Sequence, residues 1–136
     1  ASDPRLLLRV HLEATRCHLA ADRLERAGDR LASAQALTAE LRVPYLTGQT
    51  ALLGGQVALA RGDDHEALSR LADARETFQQ IETPTPLLET ASLAAELLAR
   101  RGETAALHDW VRCGRRVFET APEPVRELFD GTFGHV

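Results

Sequence analysis

The chain has 136 residues and a formal net charge of −4, and Leu and Ala are its two most abundant residue types. This length suits one domain with a sizeable core, and the abundance of Leu and Ala favours helices over strands. The negative charge gives no general attraction to nucleic acid or to an anionic membrane, and no apolar run approaches the ~20 residues of a membrane span.

The first helix is expected to begin at Asp3-Pro4, since Asp caps free backbone N–H groups and Pro suits the first helical position. Its apolar residues continue at helical spacing as far as a break at Gly28-Asp29, where Asp29 is expected to cap a second helix. Val43-Pro44 ends that second helix, because the residue before a proline is pushed away from helical angles. The punctuation therefore predicts a first helical hairpin.

A second hairpin is predicted from Pro44 onward. Its first helix contains Gly54-Gly55, which is tolerable where a neighbouring helix approaches closely. The segment Asp63-Asp64-His65-Glu66 has the pattern of a capping box and predicts the start of the fourth helix. The segment Thr83-Pro84-Thr85-Pro86 has the composition of a linker, after which Thr85 is expected to cap a fifth helix that begins at Pro86. A sixth helix and a short seventh helix complete the pattern.

A step from Gly to an acidic residue recurs along the chain at Gly28-Asp29, Gly62-Asp63 and Gly102-Glu103. Intervals of roughly 30–40 residues between such steps are typical of stacked helical hairpins. The predicted fold is all-α, a right-handed stack of three antiparallel helical hairpins plus a short C-terminal helix. The predicted single domain, 1–136, has repeats at about 4–43, 44–82 and 86–119 and a terminal helix at about 122–130.

Eight residues of the second repeat fall in an order and spacing that resemble a tetratricopeptide (TPR) repeat: Gly55, Ala58, Gly62, Asp63, Ala67, Leu71, Ala74 and Phe78. Small residues in such a repeat sit where the paired helices cross, and large ones fill the gaps between them. The first and third repeats keep fewer matching residues. The resemblance therefore implies a TPR-like solenoid rather than a regular TPR array.

The stretch from Ala58 to Phe78 also resembles sensor repeats of large bacterial regulators, including helix-turn-helix activators with a nucleotide-binding switch domain. This resemblance implies a non-catalytic protein-interaction or sensor module in transcription regulation or signalling. The expected partner is a protein or peptide, including other domains of the same polypeptide. Homodimerisation through the repeats is the alternative function.

The resemblance places the binding surface in the concave groove formed by the first helix of each repeat. Ten residues are predicted to line this groove: Thr15, His18, Asp22, Arg26, Gln49, Leu52, Gln56, Glu89, Ser92 and Glu96. A plain hydrated groove would show the same mixture of polar side chains.

Two cysteines, Cys17 and Cys113, are too few for a disulfide framework, which favours free thiols in a reducing cytoplasm. All 16 Lys and Arg positions are Arg, and the absence of Lys and Asn predicts a GC-rich bacterial source. The absence of Met predicts that the chain is a piece of a longer protein. The histidines are scattered, zinc-ligand spacings are missing, and a P-loop needs a lysine. No metal, no cofactor and no enzyme activity are expected.

Two further features have both a structural and a functional interpretation. The arginines near Arg112, Arg115 and Arg116 suit either a solvated helix end or a contact with an acidic partner. Trp110, the sole Trp, suits core packing or an interface anchor. The structural interpretation is preferred for both.

Overall fold

A computed structural model describes residues 3–134, which form seven α-helices and no strand. The prediction of an all-α chain is confirmed. In the described part of the chain, no helix is both long and apolar enough to cross a membrane. The helices are α1 (Pro4–Ala20), α2 (Leu24–Leu41), α3 (Pro44–Ala60), α4 (Asp64–Gln80), α5 (Pro84–Arg101), α6 (Thr104–Thr120) and α7 (Glu123–Phe133).

The chain divides into two compact units, unit 1 as far as Thr77 and unit 2 from Phe78 onward. In unit 1, α1 packs on α2 and both helices contact α3. In unit 2, α5 packs on α6 and α7 contacts both of them. The predicted repeat boundaries within a single domain stay predictions.

Each unit has its own apolar interior, because the apolar side chains recur at helical spacing and so form one buried face on each helix. Trp110 is among the buried residues, as its preferred interpretation requires. The core of unit 1 contains Leu8, Leu12, Ala27, Leu31, Ala34, Leu46, Leu53 and Val57, and unit 2 buries Leu88, Leu97, Leu98, Phe118 and Phe133.

The predicted helix break at Gly28-Asp29 is wrong. The first helix ends at Ala20, and Asp22 makes the turn in a left-handed conformation with φ of 59°, so that α2 begins at Leu24 and contains Gly28. Asp tolerates left-handed angles because its short side chain can bond locally. Asp29 therefore lies inside α2 and does not cap it.

The interval between Gly28 and Gly62 is not a repeat period, because Gly28 lies inside α2 and only Gly62 makes a turn. The residues that do adopt left-handed angles are evenly spaced along the described chain. Asp22, Gly62 and Gly102 stand at equal intervals, and Arg42 and Glu82 lie midway between them. A left-handed turn therefore follows each of the first five helices, with the same spacing each time.

The predicted linker at 83–86 is also wrong, because α5 already begins at Pro84. Thr83 occupies the N-cap position, and Pro86 lies in the first turn of the helix. N–H groups in a first turn have no acceptor within the helix, so prolines remove no helical hydrogen bond there. At the other end of the chain, α7 continues past the predicted end at Asp130-Gly131 to Phe133.

Two local predictions in the second hairpin are confirmed. The N–H of Glu66 donates to Oδ1 of Asp63 at 3.1 Å, so Asp63 caps α4 where the capping-box pattern expects it. The close helix approach at Gly54-Gly55 is also present, since a Cβ on Gly55 would lie 2.8 Å from Cδ2 of Leu71 on α4. The glycine thus lets α4 pack directly against the backbone of α3.

Candidate binding surfaces

The predicted groove residues at the start of the chain do not share one helix. Thr15 is fully buried in α1, where its hydroxyl donates to the backbone carbonyl of His11 at 2.7 Å, so it belongs to the core. His18 is partly buried near the end of α1, Asp22 lies in the turn, and Arg26 lies on α2. The prediction placed all four on one helix because it continued the first helix to Gly28.

On α3 the predicted groove residue Gln49 is part of a network between helices. Nη2 of Arg16 on α1 donates to Oε1 of Gln49 at 3.0 Å, and Nε2 of Gln49 donates to the Tyr45 hydroxyl at 3.1 Å. Gln56 is partly buried, whereas Leu52 is only 3% exposed and lies in the core. Gln49 is therefore held in place from both sides, and Leu52 does not face solvent.

The remaining three predicted groove residues lie on α5 in unit 2. Glu89 and Glu96 are exposed, and the hydroxyl of Ser92 donates to the backbone carbonyl of Leu88 at 2.8 Å. A binding role for the exposed and partly buried members of the predicted set stays a prediction. Thr15 and Leu52 are excluded from direct contact with a partner by their burial.

A concave site that no sequence motif indicates lies between α2, α3 and α4 in unit 1. Its volume is about 580 Å³, within the range of ligand pockets in proteins. We call it the threonine cleft, and its lining residues are Gln35, Thr38, Thr47, Thr50, Ala51, Arg70, Asp73, Glu76 and Thr77.

The four threonines of the cleft share one hydrogen-bonding arrangement, in which each hydroxyl donates to a backbone carbonyl slightly earlier in the chain. A hydroxyl has one hydrogen and two acceptor lone pairs, so each oxygen keeps acceptor capacity after its hydrogen is used. The threonine cleft therefore presents acceptors rather than donors at these positions. The bonds run from Thr38 to Gln35 at 2.8 Å, Thr47 to Val43 at 3.1 Å, Thr50 to Leu46 at 2.8 Å, and Thr77 to Asp73 at 3.1 Å.

The charges around the threonine cleft are unbalanced. Nε of Arg70 is 2.8 Å from Oε1 of Glu66, so the arginine of the lining is already paired. Asp73 and Glu76 lie about one turn apart on α4, and neither is ion-paired with a cation among residues 3–134. The lining therefore carries net negative charge, with one arginine and two carboxylates, and neither carboxylate has an ion pair within the described residues.

A second charged cluster joins α1 to α2. Nε of Arg23 donates to Nδ1 of His18 at 2.9 Å, and Nη1 of Arg30 lies 3.3 Å from Nδ1 of His11. Partial burial lowers the pKa of His18 from its ordinary value, and the charges of Arg23, Arg26 and Arg30 lower that pKa further. Burial and the arginine charges thus disfavour the charged form of the ring, whose Nδ1 accepts the hydrogen bond from Arg23.

One arginine of the basic cluster on α6, Arg115, bonds to other residues of unit 2. Arg115 donates from Nε to Oε1 of Glu119 at 2.9 Å and from Nη1 to the backbone carbonyl of Phe133. Arg112 and Arg116 are exposed. Arg115 thus connects α6 to the end of α7, and this contact favours the structural interpretation of the cluster.

The comparisons with known proteins give no relative of this chain. No protein-family model matches it, and no curated protein or solved structure does so either. Among residues 3–134, no group of three or more His, Cys, Asp or Glu side chains is arranged to hold a metal ion. The threonine cleft combines a ligand-sized volume with polar side chains from three helices, which makes it a candidate binding site.

Proposed function

We propose that this chain is a non-catalytic binding module of a larger bacterial regulator, transcriptional or signalling, that takes up a segment of a partner protein. The partner includes other domains of the same polypeptide. The observation that carries the proposal is the threonine cleft, which combines a volume of about 580 Å³ with acceptors contributed by three helices. Such a lining fixes the orientation of a bound segment through hydrogen bonds.

The proposed architecture is the right-handed stack of three helical hairpins with α7 at its end, in the cytoplasm. The equal spacing of the left-handed turns at Asp22, Gly62 and Gly102 supports a repeating hairpin. The interval between these turns exceeds the period of a TPR, which is about 34 residues. The contact of Leu71 with Gly55 supports the TPR-like use of small residues at a helix crossing. We therefore keep the description TPR-like and propose a longer hairpin than that family has.

A peptide selection tests the proposed function. A random-peptide library displayed on phage is selected on the full chain, and each binder is then measured on Ala51→Trp, which fills the threonine cleft. The control is Ala39→Trp, the same change at an exposed position of α2 outside the cleft. We expect binders that lose affinity on Ala51→Trp and keep it on Ala39→Trp.

Two results would overturn the proposal: a selection that enriches no binder, or binders that are insensitive to filling the cleft. Circular dichroism first checks that Ala51→Trp keeps its helices. If that variant does not fold, Gln35→Trp replaces it, since Gln35 lines the cleft from α2 and is only partly buried.

The second candidate function is homodimerisation through α1, which an exposed apolar surface favours. Leu6 is 61% exposed, Leu7 40% and Val10 49%, all within the first two turns of the helix. Apolar side chains grouped in this way are typical of a surface that another chain covers. Light scattering over a wide concentration range tests this function: we expect a dimer that Val10→Asp dissociates, and a monomer at all concentrations would exclude it.

A further inference from the structure

We infer that the threonine cleft recognises the guanidinium group of an arginine in the partner segment. The inference rests on the proposed function and adds the chemistry of the partner. It starts from the mismatch within the cleft, whose oxygens outnumber its available hydrogen-bond donors. The accessible oxygens are supplied by Thr38, Thr47 and Thr77 and by the carboxylates of Asp73 and Glu76.

Apart from Arg70, which is paired with Glu66, and the amide of Gln35, the polar side chains of the lining offer acceptors, which a group that only donates complements. Guanidinium carries five N–H donors and no acceptor, whereas an amide or a hydroxyl would bring lone pairs of its own against the threonine oxygens. The positive charge also meets Asp73 and Glu76, which have no counter-ion among residues 3–134. Hydrogen bonds from a cation to a carboxylate are about twice as strong as those between neutral groups.

The geometry favours guanidinium over the ammonium of a lysine. Asp73 and Glu76 project from successive turns of α4, so their acceptors are spread over about 5–6 Å rather than concentrated at one point. A planar fork of several N–H groups can bond two such carboxylates at once, whereas an ammonium is a compact point charge with three donors.

The four threonines of the cleft differ in exposure, since Thr50 is buried and the other three are partly buried. Thr50 lines the cleft although only 3% of it is exposed, and its hydrogen is committed to the carbonyl of Leu46. Among the described residues, no side chain donates to its oxygen. The donors of a guanidinium therefore meet the partly buried oxygens of Thr38, Thr47 and Thr77 rather than that of Thr50.

The decisive experiment compares three capped tripeptides, acetyl-Gly-X-Gly-amide, with X as arginine, citrulline or lysine. Citrulline has almost the shape of arginine but is neutral and carries a carbonyl acceptor. Binding is followed through the amide NMR signals of Ala51 and Thr77 during titration of the full chain. We expect the arginine peptide to bind at least about tenfold more tightly than the citrulline peptide, and more tightly than the lysine peptide.

Variants locate the binding. The double variant Asp73→Asn, Glu76→Gln is expected to weaken the arginine peptide by at least about tenfold, because both charge-assisted bonds are lost. The matched control Glu25→Gln, Asp29→Asn removes two charges from α2 outside the cleft and leaves the affinity unchanged. Thr38→Val removes a partly buried lining oxygen and is expected to weaken binding, whereas Thr38→Ser keeps that oxygen and the affinity.

The outcomes separate this inference from the proposed function. Equal affinity for arginine and citrulline, no affinity for the arginine peptide, or no effect of the double variant overturns the inference. Phage-selected peptides that need an open cleft but contain no arginine also overturn it, while the proposed function stands. Selected peptides enriched in arginine, with binding lost in the double variant, support both.

Discussion

The ring of Phe133 lies directly against the backbone of Gly114, so closely that a Cβ on Gly114 would overlap the ring. Gly114 is buried in the middle of α6, and Phe133 is the last residue of α7 and only 1% exposed. Gly in a helix interior is destabilising by about 1 kcal/mol relative to Ala. The ring contact explains why α6 has a glycine at this position in spite of that cost.

The variant Gly114→Ala is therefore expected to destabilise unit 2, because the added methyl displaces the Phe133 ring. Overpacking of this kind costs typically about 1–3 kcal/mol, and the better helix propensity of Ala offsets about 1 kcal/mol of it. Urea unfolding followed by circular dichroism measures the change. Gly131→Ala is the control, since its Cβ would meet nothing within 4 Å, and it is expected to stabilise α7. If Gly114→Ala were at least as stable as the unmodified chain, the close contact between Gly114 and the Phe133 ring would be contradicted.

Arg115 makes a second connection between the same two helices, and its loss is the next prediction. Its Nη1 donates to the Phe133 carbonyl at the end of α7, where backbone carbonyls have no helical partner. Arg115→Met keeps most of the alkyl stem but removes the donors and the guanidinium that lies over the Phe118 ring, so we expect the free energy of unfolding to fall by about 1–2 kcal/mol. Arg116→Met, at an exposed neighbouring position, is expected to change the free energy of unfolding by less than about 0.5 kcal/mol.

The adjacent glycines of α3 are expected to respond in opposite directions to the same substitution. A Cβ on Gly54 would lie 3.5 Å from Cδ of Arg70, an ordinary contact with a flexible side chain. A Cβ on Gly55 would lie 2.8 Å from Cδ2 of Leu71, which is fully buried. Gly54→Ala should therefore stabilise the chain by up to about 1 kcal/mol, and Gly55→Ala should destabilise it by about 1–2 kcal/mol. Thermal unfolding of the two variants side by side tests the difference, and a common sign would refute it.

Helix starts could be predicted from the sequence where a side chain itself specifies them. Pro44 and the cap at Asp63 are local signals, and both mark real helix starts. The turn at Asp22 could not be predicted in this way, because no glycine or proline lies in it and the nearest glycine, Gly28, is a more typical turn signal. The structure places Gly28 inside α2 instead, where the guanidinium of Arg61 occupies the space of its missing Cβ. A glycine that makes room for a distant side chain has the same local pattern as one that makes a turn.

The threonine cleft could not be predicted for a related reason. Its residues come from three helices, and only their packing brings Thr38, Thr50 and Thr77 to one concave surface. Within its own helix, each of these threonines is an ordinary β-branched residue whose hydroxyl donates to a backbone carbonyl of the preceding turn. The fold class depends on local periodicity and could be predicted, whereas the site depends on which faces meet.

The turns that lack glycine give the fourth prediction. Arg42 and Glu82 adopt left-handed angles, with φ of 51° and 50°, which cost a non-glycine residue about 1–2 kcal/mol. Arg42→Gly removes that strain and is expected to stabilise the chain by about 1 kcal/mol, after allowance for the greater flexibility of Gly in the unfolded state. Arg42→Ala keeps the strain and should give no such gain. Conversely, Gly102→Ala places a side chain at a φ of 70° and should lower the free energy of unfolding by about 1–2 kcal/mol. Urea unfolding of the three variants measures these changes.

The fifth prediction concerns the pH dependence that His18 contributes. Partial burial, followed by the charges of Arg23, Arg26 and Arg30, holds the pKa of His18 below its ordinary value of 6.5 in the folded chain. Well above pH 6.5 the His18 ring is neutral in both the folded and the unfolded chain, so it contributes nothing to the pH dependence of stability. As the pH falls through 6.5, the unfolded chain takes up the proton first, so this contribution to stability decreases with acidification.

An NMR titration of the His18 ring protons checks this directly, and the inflection should lie below pH 6.5. Arg26→Gln removes a nearby positive charge without removing the Arg23 hydrogen bond, so it should raise the pKa of His18. Arg5→Gln, near the other end of α1, should leave that pKa unchanged. Added salt should also raise the pKa by screening the arginine charges. An inflection at or above 6.5 in the unmodified chain would contradict the lowered pKa, and an unchanged pKa in Arg26→Gln would contradict the contribution of that arginine.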